Sequence, residues 1–319
     1  MLLKKSAKRL KIMINKNIGA DINGVININK EKGFTSHDVV AIVRKTLGYV
    51  KAGHTGTLDP NATGVLPVCL GKATKIASYL TDGTKRYRAE VILGISTDSE
   101  DITGTVVRKQ DVNVSEEEVS AVVSRFVGEY WQTPPMYSAV KVDGKKLYEL
   151  ARQGKTIERA PRLMNIHSID ILEFDLKNNR FIIDVLCSKG TYIRTLCCDI
   201  GEKLNTCACM GELQRTAAGT FTLENSITLS ELKEHVAKHG ADGFGEIITP
   251  IVNALPLRKA VVKDDYHKAL YNGNKLPFCA VDDEYNISPG EKLFLTDSFG
   301  QLIGIYEVLA EVIKPLTML

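Results

Sequence analysis

The order of strand-like and helix-like segments constrains the fold of this chain more than any other feature of its sequence. Short β-branched runs predict strands at residues 24–28, 65–70 and 86–93, and helical spacing of apolar residues predicts helices at 36–47 and 72–80 between them. Further along, strand-like segments follow one another directly, whereas in a doubly wound sheet strands alternate strictly with helices. This order predicts an α+β fold with a mixed, largely antiparallel central sheet flanked by helices.

Turn and capping residues predict where several elements begin and end. Ser36 is a candidate N-cap for the first helix, because its hydroxyl can accept from a free backbone N–H. Ser115 and Glu118 form a capping box that opens a helix ending near Val127. The remaining predicted elements are paired strands at 163–174 and 180–187, joined through Lys177-Asn178-Asn179, and a helix at 191–204.

The length of 319 residues allows one large domain with a small second one. We expect a frayed basic arm at residues 1–23, which lacks the apolar core of a secretory signal. A main domain is predicted at 24–250, followed by a linker near 250–256. Short strand-like runs with turn signals predict a small β-rich domain at 257–319.

Composition and cysteine spacing narrow the class of protein. The formal charge of +3 is compatible with nucleic-acid binding but does not indicate it. The seven cysteines include a Cys-x-Cys at 207–209, yet neither their spacing nor a nearby His completes a zinc site. We therefore expect no metal, and reduced thiols in a cytoplasmic protein. No apolar run is long enough to span a bilayer, so we expect no membrane partner.

The segment GHTGTLDPNATGVL at residues 53–66 is the most informative stretch. Its three glycines let the backbone approach a ligand, and Pro60 restricts Asp59 to extended geometry. Asp59 is thus a carboxylate on a stiff loop that could act as a nucleophile, a base or a metal ligand. The same local pattern is also typical of a plain Asp-Pro turn. A P-loop is excluded, because Lys72 is followed by Ala73 and not by Ser or Thr.

Ordered motifs between residues 24 and 221 resemble the TruB family of tRNA pseudouridine synthases. The loop matches the family pattern GHTGxLDPxAxGVLP through Pro67, whereas Glu31 departs from the usual Pro of KPxGxTS and Ser99 from the usual Thr of LGxxTDTxDxxG. The other matching segments are KEKGFTS at 30–36, KRYRA at 85–89, LGISTDSEDITG at 93–104, PPMYSAVK at 134–141, SKGTYIRTL at 188–196 and LQRTAAGTF at 213–221.

The resemblance implies a pseudouridine synthase fold. It also implies that the β-rich tail at 257–319 forms a PUA-like RNA-binding domain. It implies cofactor-free isomerisation of uridine 55 in the T-arm loop of tRNA, with the target base flipped out of its stack. Asp59 matches the family's catalytic aspartate, Arg194 the arginine that pairs with it, and Tyr87 the tyrosine that lies against the flipped base. All three are therefore expected to be catalytic.

The same resemblance implies four substrate-binding residues: His54, Leu213, Tyr192 and Lys30. His54 would stack where the extruded nucleotides leave the loop, and Leu213 would form a wall of the uracil pocket. Tyr192 would open a helix whose N-terminus can accept a phosphate, and Lys30 would support the catalytic loop. The resemblance also implies a monomer that needs tRNA but no obligatory protein partner.

Two other functions are compatible with the same residues. The chain could be the catalytic subunit of a guide-RNA pseudouridylation particle, although such relatives carry different terminal extensions. It could also be a non-catalytic tRNA-binding or RNA-chaperone protein. The presence of Asp59, Tyr87 and Arg194 argues against a non-catalytic protein, and the short basic arm and compact tail argue against the particle subunit. The sequence therefore favours an enzyme that acts on free tRNA.

Overall fold

A computed structural model describes residues 22–138, 140–142, 144–151, 153–282 and 285–319. The expected basic arm therefore lies outside the described residues, except for Ile22, which is buried in the main core, and Asn23. The described strands are β1 (Gly24–Lys30), β2 (Ala52–His54), β3 (Thr63–Leu70), β4 (Lys85–Leu93), β5 (Ile95–Thr97), β6 (Val106–Lys109), β7 (Gly128–Gln132), β8 (Lys141–Val142), β9 (Lys145–Lys146), β10 (Arg162–Asp175), β11 (Arg180–Cys187), β12 (Ala208–Ala218), β13 (Phe221–Thr222), β14 (Ile248–Thr249), β15 (Arg258–Val261), β16 (Leu276–Pro277), β17 (Lys292–Thr296), β18 (Leu302–Val308) and β19 (Val312–Met318).

The described helices cover the predicted helical segments and add several short ones. They are α1 (Ser36–Thr46), α2 (Ala77–Asp82), α3 (Glu116–Ser124), α4 (Leu147–Ala151), α5 (Ile193–Lys203), α6 (Leu229–His239), α7 (Phe244–Ile247), α8 (Ile251–Ala254) and α9 (His267–Tyr271), with 3-10 turns at Gly71–Ile76, Leu176–Asn178, Asp264–Tyr266 and Phe278–Ala280.

One large sheet organises the main domain. Its strand order is β14-β1-β3-β12-β4-β11-β10-β7, with β2 on β3 and β13 on β12. Among the described strands of this sheet, the pair β3–β12 is parallel and the other pairs are antiparallel. Helices α1, α3, α5 and α6 pack on one face and share a core with it. The predicted mixed, largely antiparallel sheet flanked by helices is confirmed.

The C-terminal segment forms a second sheet with the order β15-β17-β18-β19-β16. It has its own apolar core, in which Leu293 and Tyr306 are fully buried. Phe294 and Ile305 face the main domain and pack with Val25 on the side of the large sheet opposite the helices. The predicted β-rich tail is confirmed. The segment expected to be a linker contains α8, with Ile251 and Ala254 buried in this shared cluster, and is therefore packed rather than free.

Two helix starts differ from the prediction. Thr35, not Ser36, is the N-cap of α1, and it forms a capping box with Asp38. Ser36 is instead the first helical residue. Helix α5 begins at Ile193 with Tyr192 as its N-cap, two residues later than predicted, because Thr191 donates its hydroxyl to the Ser188 carbonyl instead.

The other predicted elements differ mainly in how far they extend. The helix predicted at 72–80 is a 3-10 turn followed by the short α2. The capping box of Ser115 and Glu118 is confirmed, and the helix that it opens ends at Ser124. Strands β10 and β11 pair antiparallel as predicted.

Candidate active site

The loop that carries Asp59 is held on both sides by hydrogen bonds from the first helix and strand. The Ser36 hydroxyl donates to the Leu58 carbonyl (3.2 Å) and accepts from the Leu58 N–H (2.9 Å). The carbonyl of Pro60 accepts from the Gly33 N–H (2.8 Å) and from Lys30 Nζ (3.0 Å). These contacts fix the residues before and after Asp59, so its backbone has little freedom although its side chain is open to solvent.

Arg194 meets Asp59 directly. Its Nε lies 3.2 Å from Asp59 Oδ2, and the two side chains are 7% and 43% exposed. The other guanidinium nitrogens donate to backbone carbonyls, Nη1 to Ser99 (3.2 Å) and Nη2 to Tyr137 (2.8 Å). Arg194 is therefore buried, and each of its three guanidinium nitrogens has a partner. The Asp59 carboxylate that it holds remains accessible to a ligand.

Tyr87 lies on β4, directly opposite Arg215 on β12. The Tyr87 ring is half-buried against the main core. Burial raises the pKa of its phenol, and the Arg215 guanidinium opposes that rise. A register shift in β12 between Met210 and Leu213 places Leu213 opposite Ala89, two residues along from Tyr87. Leu213 and Tyr87 therefore lie on the same face of the sheet.

Arg215 is a site residue that motif matching did not single out. Its guanidinium is buried, with Nε donating to the Val65 carbonyl (2.7 Å) and Nη2 to the Gly56 carbonyl (3.3 Å). The backbone of Arg215 also requires a glycine at position 64, where φ is +101° and a Cβ would lie 2.2 Å from the Arg215 carbonyl oxygen. Its place in the segment LQRTAAGTF, two residues after Leu213, was the available signal.

Lys30 lies at the end of β1 and is fully buried. Its ammonium donates to the carbonyls of Glu31 (3.1 Å), Phe34 (2.7 Å) and Pro60 (3.0 Å). Burial lowers the pKa of Lys30 to about 8, and the Asp59 charge opposes this. Lys30 therefore joins the KEKGFTS turn to the loop of Asp59. Lys30 uses only the backbone carbonyl of Glu31, so a proline at position 31 could accept the same hydrogen bond.

Replacing Lys30 with methionine should change how stability depends on pH. The lowered pKa means that folded protein releases this proton above pH 8, whereas the unfolded chain holds it up to the ordinary value of 10.5. The unfolded state binds more protons in this interval, so stability from this group rises with pH. We expect the free energy of unfolding of the wild type to rise relative to Lys30→Met between pH 8 and 10 in urea titrations. Parallel pH profiles would contradict the burial of this ammonium.

His54 lies at the end of β2 and forms an edge-to-face pair with His37, with ring centroids 5.3 Å apart. Its Nδ1 accepts from the Gly56 N–H (3.3 Å), which assigns the proton of the neutral ring to Nε2. Burial is the main cause that lowers the pKa of His54, with help from His37 and Arg215. His37 was not foreseen, because its sequence position in the first turn of α1 carries no sign of this contact.

Tyr192 contributes to the site through its backbone. Its N–H donates to Oε1 of Gln132 (2.7 Å), and its carbonyl accepts from Gln132 Nε2 (2.9 Å). Binding of a phosphate at this helix start stays a prediction. The predicted residues therefore divide into a direct pair, Asp59 and Arg194, and surrounding groups that support the loop, the strand or the helix.

The described residues contain neither a cluster of metal ligands nor a helix that could span a membrane. Among those residues, no group of three or more His, Cys, Asp or Glu side chains is placed to hold a metal ion. Over the same part of the chain, every helix is too short or too polar to cross a bilayer.

Comparisons with known proteins identify the family of this chain. The N-terminal model of the TruB family pseudouridylate synthases matches residues 44–193, and the C-terminal model of tRNA pseudouridylate synthase B matches 194–256. A tRNA pseudouridine synthase B from Alkaliphilus oremlandii is 52% identical over 256 residues, which are 80% of this chain and 83% of the relative. One from Bacillus pumilus is 46% identical over 292 residues, which are 89% of this chain and 93% of the relative.

The chain belongs to the TruB family. Solved structures with the same fold include a Cbf5-Nop10-Gar1 complex, with a TM-score of 0.69 and 30% identity over 93% of this chain and 80% of that one. An H/ACA RNP bound to a substrate RNA containing 2'-deoxyuridine gives a TM-score of 0.70 and 26% identity over 96% of this chain and 86% of that one. The predicted TruB membership and pseudouridine synthase fold are thus confirmed.

Proposed function

We propose that this TruB-family chain isomerises uridine to pseudouridine at position 55 in the T-arm loop of tRNA. The observation that carries the proposal is the accessible Asp59 carboxylate on a stiff loop, held 3.2 Å from the buried Arg194. This pair presents an oriented acid to a nucleotide without blocking it. The relatives that match most of the chain are named tRNA pseudouridine synthase B, which supports tRNA as the substrate.

The reaction needs a carboxylate but no redox group. The N1–C1′ bond of uridine breaks, the uracil turns, and C5 bonds to C1′. C5 loses its hydrogen as a proton, and N1 gains a proton, so the product is an isomer of the substrate. No atoms of the nucleotide are oxidised, so no cofactor is required. Asp59 is the group that attacks or removes a proton while charge develops at the reacting centre. Tyr87 lies against the flipped uracil and is the second group that can move a proton.

Base flipping sets the roles of the remaining residues. Unstacking a base costs a few kcal/mol, and stacking it on an aromatic face returns about 1–3 kcal/mol. We assign this stacking to Tyr87 for the target base and to His54 for the nucleotides that leave the loop. Leu213 forms the apolar wall beside Tyr87, and Lys30 keeps the Asp59 loop in place. We assign Tyr192, at the start of α5, as a substrate-binding residue.

Tritium release separates this function from the two alternatives. Forming the C5–C1′ bond frees the C5 hydrogen, so unmodified tRNA labelled with tritium at uridine C5 reports turnover. We expect release from purified protein without guide RNA or added factors, and loss of the signal when uridine 55 is replaced by cytidine. Binding without release would favour the non-catalytic RNA-binding protein, and release only with a guide RNA would favour the particle subunit.

The partners follow from the same proposal. We expect a cytoplasmic monomer that acts on tRNA without a cofactor, a membrane or an obligatory protein partner. The similarity to Cbf5 concerns the fold, and it does not by itself favour a guide-RNA function. Tritium release that requires a second protein would contradict the expectation that this chain needs no protein partner.

Charge is unevenly distributed along the chain. The first 21 residues carry six Lys or Arg and one Asp, whereas residues 257–319 carry seven Lys or Arg and nine Asp or Glu. Two of the basic residues in that second segment are paired, Arg258 with Glu291 (3.0 Å) and Lys263 with Asp282 (3.2 Å). Attraction of phosphate by the C-terminal domain must therefore come from local placement of lysines, while the arm attracts phosphate by its net charge.

Replacing Lys268, Lys275 and Lys314 together with alanine should weaken tRNA binding and flatten its salt dependence. All three are exposed, and none has a salt-bridge partner among the described residues. Each phosphate contact contributes roughly 0.7–0.9 to the logarithmic salt slope, so we expect a decrease of about 2–3, measured by filter binding. Lys177→Ala, at the distant β10–β11 turn, is the control. An unchanged slope would mean that these lysines do not touch phosphate.

A further inference from the structure

We propose that Gln132 is a positioning residue that holds Arg194 against Asp59 by fixing the backbone of Tyr192. This inference rests on the proposed function, because it assumes that the Asp59–Arg194 pair performs the chemistry. Gln132 acts indirectly, because its side chain binds the start of the helix from which Arg194 extends.

Gln132 is 1% exposed, and both ends of its amide bind Tyr192, while Nε2 also donates to the Tyr130 hydroxyl (3.4 Å). Oε1 accepts from the Tyr192 N–H (2.7 Å), and Nε2 donates to the Tyr192 carbonyl (2.9 Å). A two-point contact of this kind fixes orientation as well as distance, since a rotation of the Tyr192 backbone would break at least one of the two bonds. Gln132 therefore sets the direction in which α5 leaves the preceding turn.

Among the described residues, no side chain caps the start of α5, although Thr195 in its first turn donates its hydroxyl to Glu100 (2.6 Å). Tyr192 is the N-cap, and no side-chain cap bonds to the first free N–H groups of the helix. Arg194 follows two residues later and reaches Asp59 through a long side chain. Because the guanidinium lies far from its own Cα, a small rotation of the first turn moves it by much more than it moves the backbone.

The chain beyond Gln132 contacts Arg194 directly. Five residues later, the Tyr137 carbonyl accepts from Arg194 Nη2 (2.8 Å). One continuous segment therefore fixes Arg194 at both ends, through the helix backbone at Tyr192 and directly at the guanidinium. A loose Gln132 would let the helix start and the Tyr137 carbonyl move independently.

The same strand offers a matched control. Tyr130, two residues before Gln132 and on the same face of β7, donates its hydroxyl to Asp199 in the second turn of α5. This bond holds the same helix, but at a position five residues beyond Arg194. Because the Tyr130 hydroxyl also accepts from Gln132, the control removes the other partner of this bond, by Asp199→Ala. A general loss of packing between β7 and α5 would affect both variants, whereas a specific effect on the helix start would affect only the Gln132 variant.

The test measures single-turnover tritium release, tRNA affinity and melting temperature for Gln132→Met and Asp199→Ala. Methionine keeps the length of the side chain but removes the donor and the acceptor. For Gln132→Met we expect release to slow about 30- to 100-fold, in keeping with a misplaced catalytic group, while affinity stays within threefold. For Asp199→Ala we expect both quantities within threefold of wild type. A folded Gln132→Met enzyme with wild-type release would overturn the inference.

A double-mutant cycle shows whether Gln132 acts through Arg194. If it does, adding Gln132→Met to an Arg194→Lys enzyme slows release by less than threefold, because the group that it positions is already gone. Multiplication of the two losses would overturn the inference. If Gln132→Met does not fold, Gln132→Asn replaces it, with a shortened amide and an expected loss of at least fivefold.

Failure of this inference is distinguishable from failure of the proposed function. Wild-type release that depends on Asp59, combined with wild-type release from both Gln132 variants, would reject only the role of Gln132. Absence of release from the wild type would reject the proposed function itself.

Discussion

Replacing Asp59 with asparagine should lower tritium release by at least about 1,000-fold, since a group that reacts with the substrate has no substitute. Affinity for tRNA should stay within about tenfold, or ~1.4 kcal/mol. Asparagine keeps the size and much of the polarity of the side chain but cannot act as a nucleophile or a base. The loop should keep its shape, because its anchors at Leu58 and Pro60 are backbone groups. Single-turnover release and filter binding measure the two quantities.

Asp82 provides a matched control for Asp59→Asn. Asp82→Asn removes an exposed carboxylate whose described ionic partner is Lys189, and it should leave release within twofold. Residual release from Asp59→Asn near the wild-type rate would exclude Asp59 as the reacting group. A large loss of binding with turnover retained would instead assign Asp59 to substrate recognition.

Replacing Arg194 with lysine should slow release by about 100-fold, the scale expected when a reacting group is misplaced by about an ångström. Lysine keeps the positive charge, but its ammonium lacks the planar fork that serves three acceptors at once. Those acceptors are Asp59, Ser99 and Tyr137, and the last two are backbone carbonyls. The carboxylate would stay present but lose its orientation, so the rate should fall far more than tRNA affinity.

Arg180→Lys provides the control for this substitution. Arg180 pairs with Glu90, but its side chain is 45% exposed. Exposed ion pairs contribute little, so release should stay within twofold. Wild-type release from a folded Arg194→Lys enzyme would show that charge alone, and not a directed guanidinium, supports Asp59. Melting temperatures of both variants check that each is folded.

Local patterns in the sequence predicted much of the fold because the interactions behind them are local. The capping box of Ser115 and Glu118 involves residues three apart, and it is present as predicted. The predicted pairing of β10 with β11 follows a short turn. Ser36 shows the limit of this reasoning. A hydroxyl before an apolar periodic run predicts an N-cap, but Thr35 takes that role and frees Ser36 to bind Leu58, 22 residues away.

Sequence patterns were enough to predict the α+β class and the stiff loop before β3, and ordered motifs implied the family and the pairing of Arg194 with Asp59. The contacts of His37 with His54 and of Gln132 with Tyr192 became visible only in the folded structure. The physical reason is that each of these contacts joins residues from different elements. Their distance depends on sheet register and on where a helix starts, which are set by packing of the whole core and leave no periodic trace in the residues themselves.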